Sequence, residues 1–355
     1  MSLSYKSGLK FIYSLVIVLN FFASNAYSIV DGVKIEGERT LNLPVVDGKE
    51  NCSAYSDSKT CKSKRYKKLK FHKIKLNNEF KHQIQQKLYS ISDSAPNSPN
   101  NHQYTESTSS SLNVQVDLGM NNVPVLDQGS HGTCATFAVT AFLNAYKNVG
   151  DYISQQCLLE LGNFEETSTN GLASSGWDGN NLQSVISRIN LYGVMSKTEC
   201  PHTYAHKSYI MDPQQYYSYS KGRWAHDFYW QELYTITKHG KKDHASIDQV
   251  KLLLDHGRRL LIGSLLIADQ IIGKPINGLN HGFWDLPPHY DLKQFIKDQQ
   301  NDEIIGHALI IIGYDDQLKL FKVRNSWGAR AGDNGDFYMS YKYFDVMTIE
   351  TIEIY

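Results

Sequence analysis

Apolar residues recur at helical spacing over 135–148, at Phe137, Ala138, Ala141, Phe142 and Ala145, and again over 181–192, at Leu182, Val185, Ile186 and Ile189. Both patterns predict amphipathic helices. Ser246 followed three residues on by Gln249 is a capping box ahead of the apolar stretch 250–254, and marks a third helix start. Beyond Arg259 the pattern changes to short apolar and alternating runs. These predict strands over 260–267, 308–314, 318–324, 336–341 and 346–354. Helices first and strands afterwards imply an α+β domain of two lobes.

The pattern is less regular elsewhere. Residues 27–90 mix short apolar alternations with a basic stretch over 71–89 that reads as a helix, and 202–240 is tyrosine-rich without a period, an insertion or irregular loop. Residues 90–111 are rich in Ser, Asn and Pro and nearly free of large apolar side chains. Such a stretch buries too little surface to offset its ordering entropy, and is expected to be a flexible, protease-accessible linker. At the start, Lys6 and Lys10 precede an apolar run over 11–22, and Ser24 and Ala26 follow it. That is the pattern of a signal peptide over 1–26. The run is short and broken by Ser14 and Asn20, so no stable membrane anchor is expected. The expected divisions are a signal peptide (1–26), a basic segment with linker (27–111) and a globular domain (112–355). The expected location is secreted: extracellular, or periplasmic on the way out.

Charge refines the picture. The chain is neutral overall, yet residues 1–111 hold 16 Lys+Arg against 9 Asp+Glu, and the remainder holds 20 against 27. A basic segment within a chain whose other part is acidic points to an intramolecular partner rather than nucleic acid. Five cysteines in an exported chain leave one thiol unpaired. The other four allow three pairings, of which Cys52–Cys61 and Cys157–Cys200 are preferred.

Candidate chemistry starts at Gln128-Gly129-Ser130-His131-Gly132-Thr133-Cys134, where a Gly-rich turn runs into the first helix. Unpaired first-turn amides and the helix dipole favour a thiolate at Cys134. Gly306-His307-Ala308 opens an apolar strand, and Asn325-Ser326-Trp327-Gly328 follows the next one. Asn325 can orient the imidazole and Trp327 can shield that contact from water. His281 and His289 are the rival bases, but neither opens an apolar strand.

Together these motifs resemble the papain family of cysteine peptidases, from about Asn113 to the C-terminus. The resemblance also takes in Val116-Asp117, Ser154-Gln155-Gln156 and the segment 176–180. It implies a papain-like two-lobed fold, a helical lobe plus an antiparallel β-barrel-like lobe, with the active-site cleft between them. It implies Cys134 as nucleophile, His307 as its proton partner, Asn325 as orienting residue, and an oxyanion hole from the Gln128 side chain and the Cys134 N–H. Gly179, Asn180, Ala308 and Trp327 would line the cleft. No cofactor or metal is implied; the partners are a protein or peptide substrate and the chain's own propeptide as intramolecular inhibitor, with the protein a monomer.

Departures accompany the resemblance. His131 and Trp177 stand where the family carries a bonded cysteine pair, which would let Trp177 pack where the bridge would sit. Asn180 stands at a glycine position. The 173 residues from Cys134 to His307 exceed the usual spacing, and insertions over 202–240 and 284–303 account for the excess. A non-catalytic papain-fold binding protein, or another thiol acyl-transfer enzyme such as a transglutaminase or amidase, is the alternative function.

Overall fold

The computed structural model describes residues 33–45, 65–93, 114–202, 206–236, 242–276 and 278–355. The expected signal peptide, Cys52, Cys61 and most of the linker lie outside them.

In chain order, strands β1 (Val33–Val45) and β2 (Arg65–Leu76) form an antiparallel pair followed by helix α1 (Asn78–Asp93). Next come β3 (Gln115–Asp117) and the helices α2 (Cys134–Lys147), α3 (Gln155–Ser168), α4 (Leu182–Tyr192) and α5 (Pro213–Ser220). Short strands β4 (Trp230–Glu232), β5 (Tyr234–Ile236) and β6 (Lys242–His244) lead to α6 (Ile247–Asp255) and β7 (Leu260–Ile267). The chain ends with β8 (Lys274–Ile276), β9 (Leu279–Trp284), α7 (Leu292–Gln300), β10 (Ile304–Asp315), β11 (Leu320–Arg324), β12 (Asp336–Ser340), α8 (Tyr341–Met347) and β13 (Thr348–Ile354).

Local chemistry sets several boundaries. Asn181 caps α4 by accepting from the Ser184 N–H, and the Ser246/Gln249 box is formed in both directions at α6. Helix α2 stops where Asn148 turns left-handed and its N–H returns to the Ala145 carbonyl. Of the expected strands, 260–267 matches β7 residue for residue. The stretch 346–354 instead begins inside α8. Within 202–240 there is a capped helix, α5, and strand β4, and α7 fills part of 284–303.

Eleven strands form one sheet in the order β4-β13-β7-β10-β11-β12-β9-β8, with β2 and β3 also joined to β10 and β1 to β2, while β5 and β6 pair separately. The α+β, papain-like arrangement is as expected; the sheet path is open rather than closed into a barrel, and its strand pairs are antiparallel except β9 with β12. Strand β10 is the hinge of the design because both its faces are buried. Ala308, Ile310 and Ile312 join the core of the helical lobe beneath α2, whereas Ile305, Leu309 and Ile311 join the larger core of the β lobe.

The N-terminal pair belongs to that larger core. Leu69, Phe71, Ile74 and Leu76 of β2 and Phe80, Ile84 and Leu88 of α1 are buried in it. The basic stretch expected to be helical from residue 71 is therefore a strand as far as Leu76, and α1 starts only at Asn78. Each fully buried apolar side chain of this size contributes about 1.5–3 kcal/mol. The accompanying ion pairs, Arg39–Glu303 (2.9 Å), Lys73–Asp302 (2.5 Å) and Lys87–Asp243 (2.7 Å), are partly exposed and worth about 0–1 kcal/mol each. Apolar burial and the pairing of β2 with β10 thus hold the segment in place more than its ion pairs do.

Candidate active site

Cys134 is the first residue of α2, and its thiol is buried and free, the unpaired cysteine among the described residues. Cys157 and Cys200 are bonded to each other, as the preferred pairing had it. The Thr133 side chain makes no capping bond, so the first-turn amides are left for other acceptors. The sulfur lies by the N–H groups of Ala308, Ala135 and Cys134 itself, each of which favours the thiolate, but burial outweighs them and pushes the thiol up to about 11.

His307 is the fourth residue of β10 rather than the opener of a strand, because β10 reaches back to Ile304 to pair with β7 and β2. Its Nε2 lies 2.8 Å from Asn325 Oδ1. An amide oxygen only accepts, so the proton sits on Nε2 and Nδ1 carries the lone pair. Nδ1 is buried without a hydrogen-bond partner, a costly state for a ring nitrogen. Trp327 stacks on the imidazole, ring centres 4.8 Å apart and planes 27° apart. Burial holds the imidazole down to about 4. At neutral pH both the thiol and the ring are therefore uncharged in this state.

Asn325 Oδ1 also accepts from the Ser326 N–H at 2.7 Å, which locks the amide oxygen towards the ring. Gln128 is tied to the same turn: its N–H donates to the Ser326 carbonyl at 2.9 Å and its Oε1 accepts from Ser326 Oγ at 2.7 Å. Its Nε2 donates to the His131 carbonyl at 2.9 Å, which uses one of two amide hydrogens. Gly179 adopts φ +118° on the opposite wall. Asn180 is folded back onto its own loop, its Nδ2 3.3 Å from the Ser174 carbonyl. This loop is braced from below by buried Arg188, which donates to the carbonyls of Ser174 (2.8 Å) and Ser175 (3.1 Å) and pairs with Glu165. Trp177 lies edge-on to His131 at 5.0 Å, so an aromatic contact occupies the two positions where the family carries a bridge. Of the rival bases, His289 is exposed in a turn with φ +57°, and the side chain of His281 lies outside the described residues.

The occupants of the cleft are the residues that sequence reasoning missed. Strand β2 adds to β10 with His72 opposite Gly306 and Lys73 opposite Ile305. Phe71 turns towards the β lobe, edge-on to His307 at 5.8 Å and to Trp327 at 5.6 Å. His72 turns the other way, as alternation along a strand requires. Its Nε2 lies 3.1 Å from the Gly132 carbonyl. A Cβ at Gly132 or Gly179 would come within 2.6 Å of the ring, so both glycines are needed to admit it. The available signal was the alternation Leu69, Phe71 and then Ile74, Leu76 in the basic stretch, a period-2 pattern with one slip. The slip corresponds to the register shift between Ile35 and Glu38 on the partner strand.

Residues 295–352 match the model of the Peptidase C1-like family. A structure from work on the mite allergens Blo t 1 and Der p 1 superposes with a TM-score of 0.50 at 18% identity, over 71% of this chain and 74% of that one. The fold is papain-like. Xylellain, a cysteine protease from Xylella fastidiosa, aligns with a TM-score of 0.47 at 21% identity, over 69% of this chain and 86% of that one. An uncharacterised peptidase C1-like protein of Acanthamoeba polyphaga mimivirus is 24% identical over 230 residues, 61% of this chain. The papain-like chain spans 64% of the length of that viral relative.

Proposed function

We propose that this protein is a cysteine peptidase made as a zymogen, with Cys134 as nucleophile and His307 as its acid–base partner. The observation that carries the reading is the ordered imidazole. His307 is fixed by Asn325 at 2.8 Å, covered by Trp327, and keeps a buried Nδ1 without a partner, while the free thiol lies at the amide of the very next residue. A proton moving from sulfur to Nδ1 would create the thiolate–imidazolium pair. The thiolate attacks a peptide carbonyl, and the second amide hydrogen of Gln128 and the Cys134 N–H take the oxyanion, donors worth about 3–4 kcal/mol each. His307 then protonates the leaving amine, and as a base it activates the water that hydrolyses the thioester.

In this reading the segment 27–111 is the propeptide, and Phe71 and His72 keep the enzyme inactive by filling the cleft. Residues 1–26 direct export, and the working enzyme is a monomer acting on protein or peptide substrates. An acid would usually orient the histidine of a transglutaminase; the amide of Asn325 favours a peptidase.

The test is direct. With the N-terminal segment cleaved from both proteins by an added protease, Cys134→Ala should lower kcat/KM on a peptide by about a thousandfold or more, and an E-64-type epoxide should label the wild-type protein at Cys134 by peptide mass mapping. Labelling without peptide hydrolysis would point to another thiol acyl-transfer enzyme, and neither result to a non-catalytic binding protein.

A further inference from the structure

Beside the plug, one contact has a shape of its own. The Nζ of Lys67 on β2 reaches both the Asp127 carboxylate and the Trp327 carbonyl, the latter at 3.2 Å. These two acceptors belong to the papain-like body, and their arrangement does not depend on the lysine. Asp127 and Trp327 face each other in an antiparallel bridge, with the Gly328 N–H bonded to the Leu126 carbonyl at 3.0 Å and the Gln128 N–H to the Ser326 carbonyl at 2.9 Å. The Asp127 Oδ1 is held by the Gly129 N–H at 2.8 Å. The indole of Trp327 is meanwhile clamped by His307, Trp284 and Phe337 of the same body. The carbonyl and carboxylate are thus preorganised, which lowers the cost of binding a cation.

We infer that Asp127 and the Trp327 carbonyl form a lysine-selecting subsite of the cleft, occupied in the zymogen by Lys67 and taken over by a substrate lysine in the active enzyme. The inference rests on the peptidase reading. Asp127 is half-exposed and bonded to no other Lys or Arg among the described ion pairs, so departure of β2 leaves a carboxylate without a counter-ion beside the reacting groups. By contrast Asp178, next to Gly179 on the other wall, keeps Lys207 of the body as its partner. One carboxylate oxygen and one carbonyl suit a compact ammonium with three donors. They suit a guanidinium less, since its fork is satisfied by two parallel acceptors. The preference should therefore run lysine, arginine, then the uncharged isostere norleucine.

Two readouts on the full-length protein test this. Alkylation of Cys134 by iodoacetamide at neutral pH reports opening of β2 and needs no catalysis. Lys67→Met and Asp127→Asn should each speed it about fivefold, and the double variant should be no faster than either. Hydrolysis by the form that the full-length chain generates on processing is then compared on a peptide series with lysine, arginine or norleucine placed at each position in turn. At one position lysine should be favoured over norleucine about tenfold, and Asp127→Asn, which keeps the bond from Gly129, should bring that ratio close to one. Peptides cut with no lysine preference, or alkylation indifferent to both substitutions, overturn the subsite. Coupled alkylation without hydrolysis of any peptide overturns the peptidase reading instead and leaves the ammonium site standing.

Discussion

Full-length protein carrying Phe71→Ala and His72→Ala should cut peptides about a hundredfold faster than the unprocessed wild-type chain. Phe71 is 1% exposed and packs on both His307 and Trp327, and truncating a buried phenylalanine costs about 3–5 kcal/mol. The rest of the N-terminal segment, from Ile74 through Leu88, keeps its own burial in the β-lobe core. The loss therefore falls on local opening of the cleft more than on detachment of the segment. A shift of about 2.7 kcal/mol in that local equilibrium is a factor of a hundred in the open population. The thiol and imidazole respond together. Once water reaches them, the burial that holds Cys134 up near 11 and His307 down near 4 is relieved, and the ion pair can form at neutral pH. Initial rates on freshly purified protein, with chain length followed by gel, make the comparison. Equal rates for the two proteins would show that Phe71 and His72 do not control access.

The second large effect concerns Glu350 and stability. Its side chain lies on β13 against Gly263 of β7, where a Cβ would come within 2.8 Å of it, and the carboxylate is bonded by the Leu182 N–H at the start of α4. That amide favours the charged form. Burial is the larger effect and pushes the carboxyl up to about 8. A free glutamate titrates near ~4.3, so the folded value is raised. Stability from the neutral carboxyl is then fully present below about pH 4.3 and is lost progressively as pH rises to about 8. The loss amounts to several kcal/mol, since each tenfold change in an ionisation constant corresponds to about 1.4 kcal/mol. Glu350→Gln cannot ionise and should escape it. Between pH 5 and pH 8 the wild-type Tm should fall by roughly 10 °C more than that of the variant. Parallel curves for the two proteins would rule out a buried neutral Glu350.

How much of this was legible beforehand depended on how local each determinant was. Helices α2, α4 and α6 and strand β7 were readable because an amphipathic period, a cap or an apolar run is written within a dozen residues. Cys134, His307, Asn325 and Gln128 were readable as a set because their motifs occur in a recognisable order, and the cleft brings His307 and Asn325 into contact and ties Gln128 to Ser326. The strand character of 71–76 was not legible. Lysines at 67, 68, 70, 73 and 75 resemble a solvated helix face, and only pairing with β1 and β10 makes the apolar alternation count.

Sequence by itself determined the type of the strongly periodic elements and the capped helix starts, and it singled out the candidate reactive groups, since these follow from side-chain chemistry and short-range periodicity. Tertiary structure alone decided that His307 lies inside a strand and that the basic segment enters the cleft. Only the fold sets Phe71 and His72 on opposite walls and turns Asp127 and the Trp327 carbonyl towards one ammonium group. Those outcomes rest on sheet pairing and burial between residues far apart in the chain, such as His72 with Gly306, and no short window along the chain contains both partners.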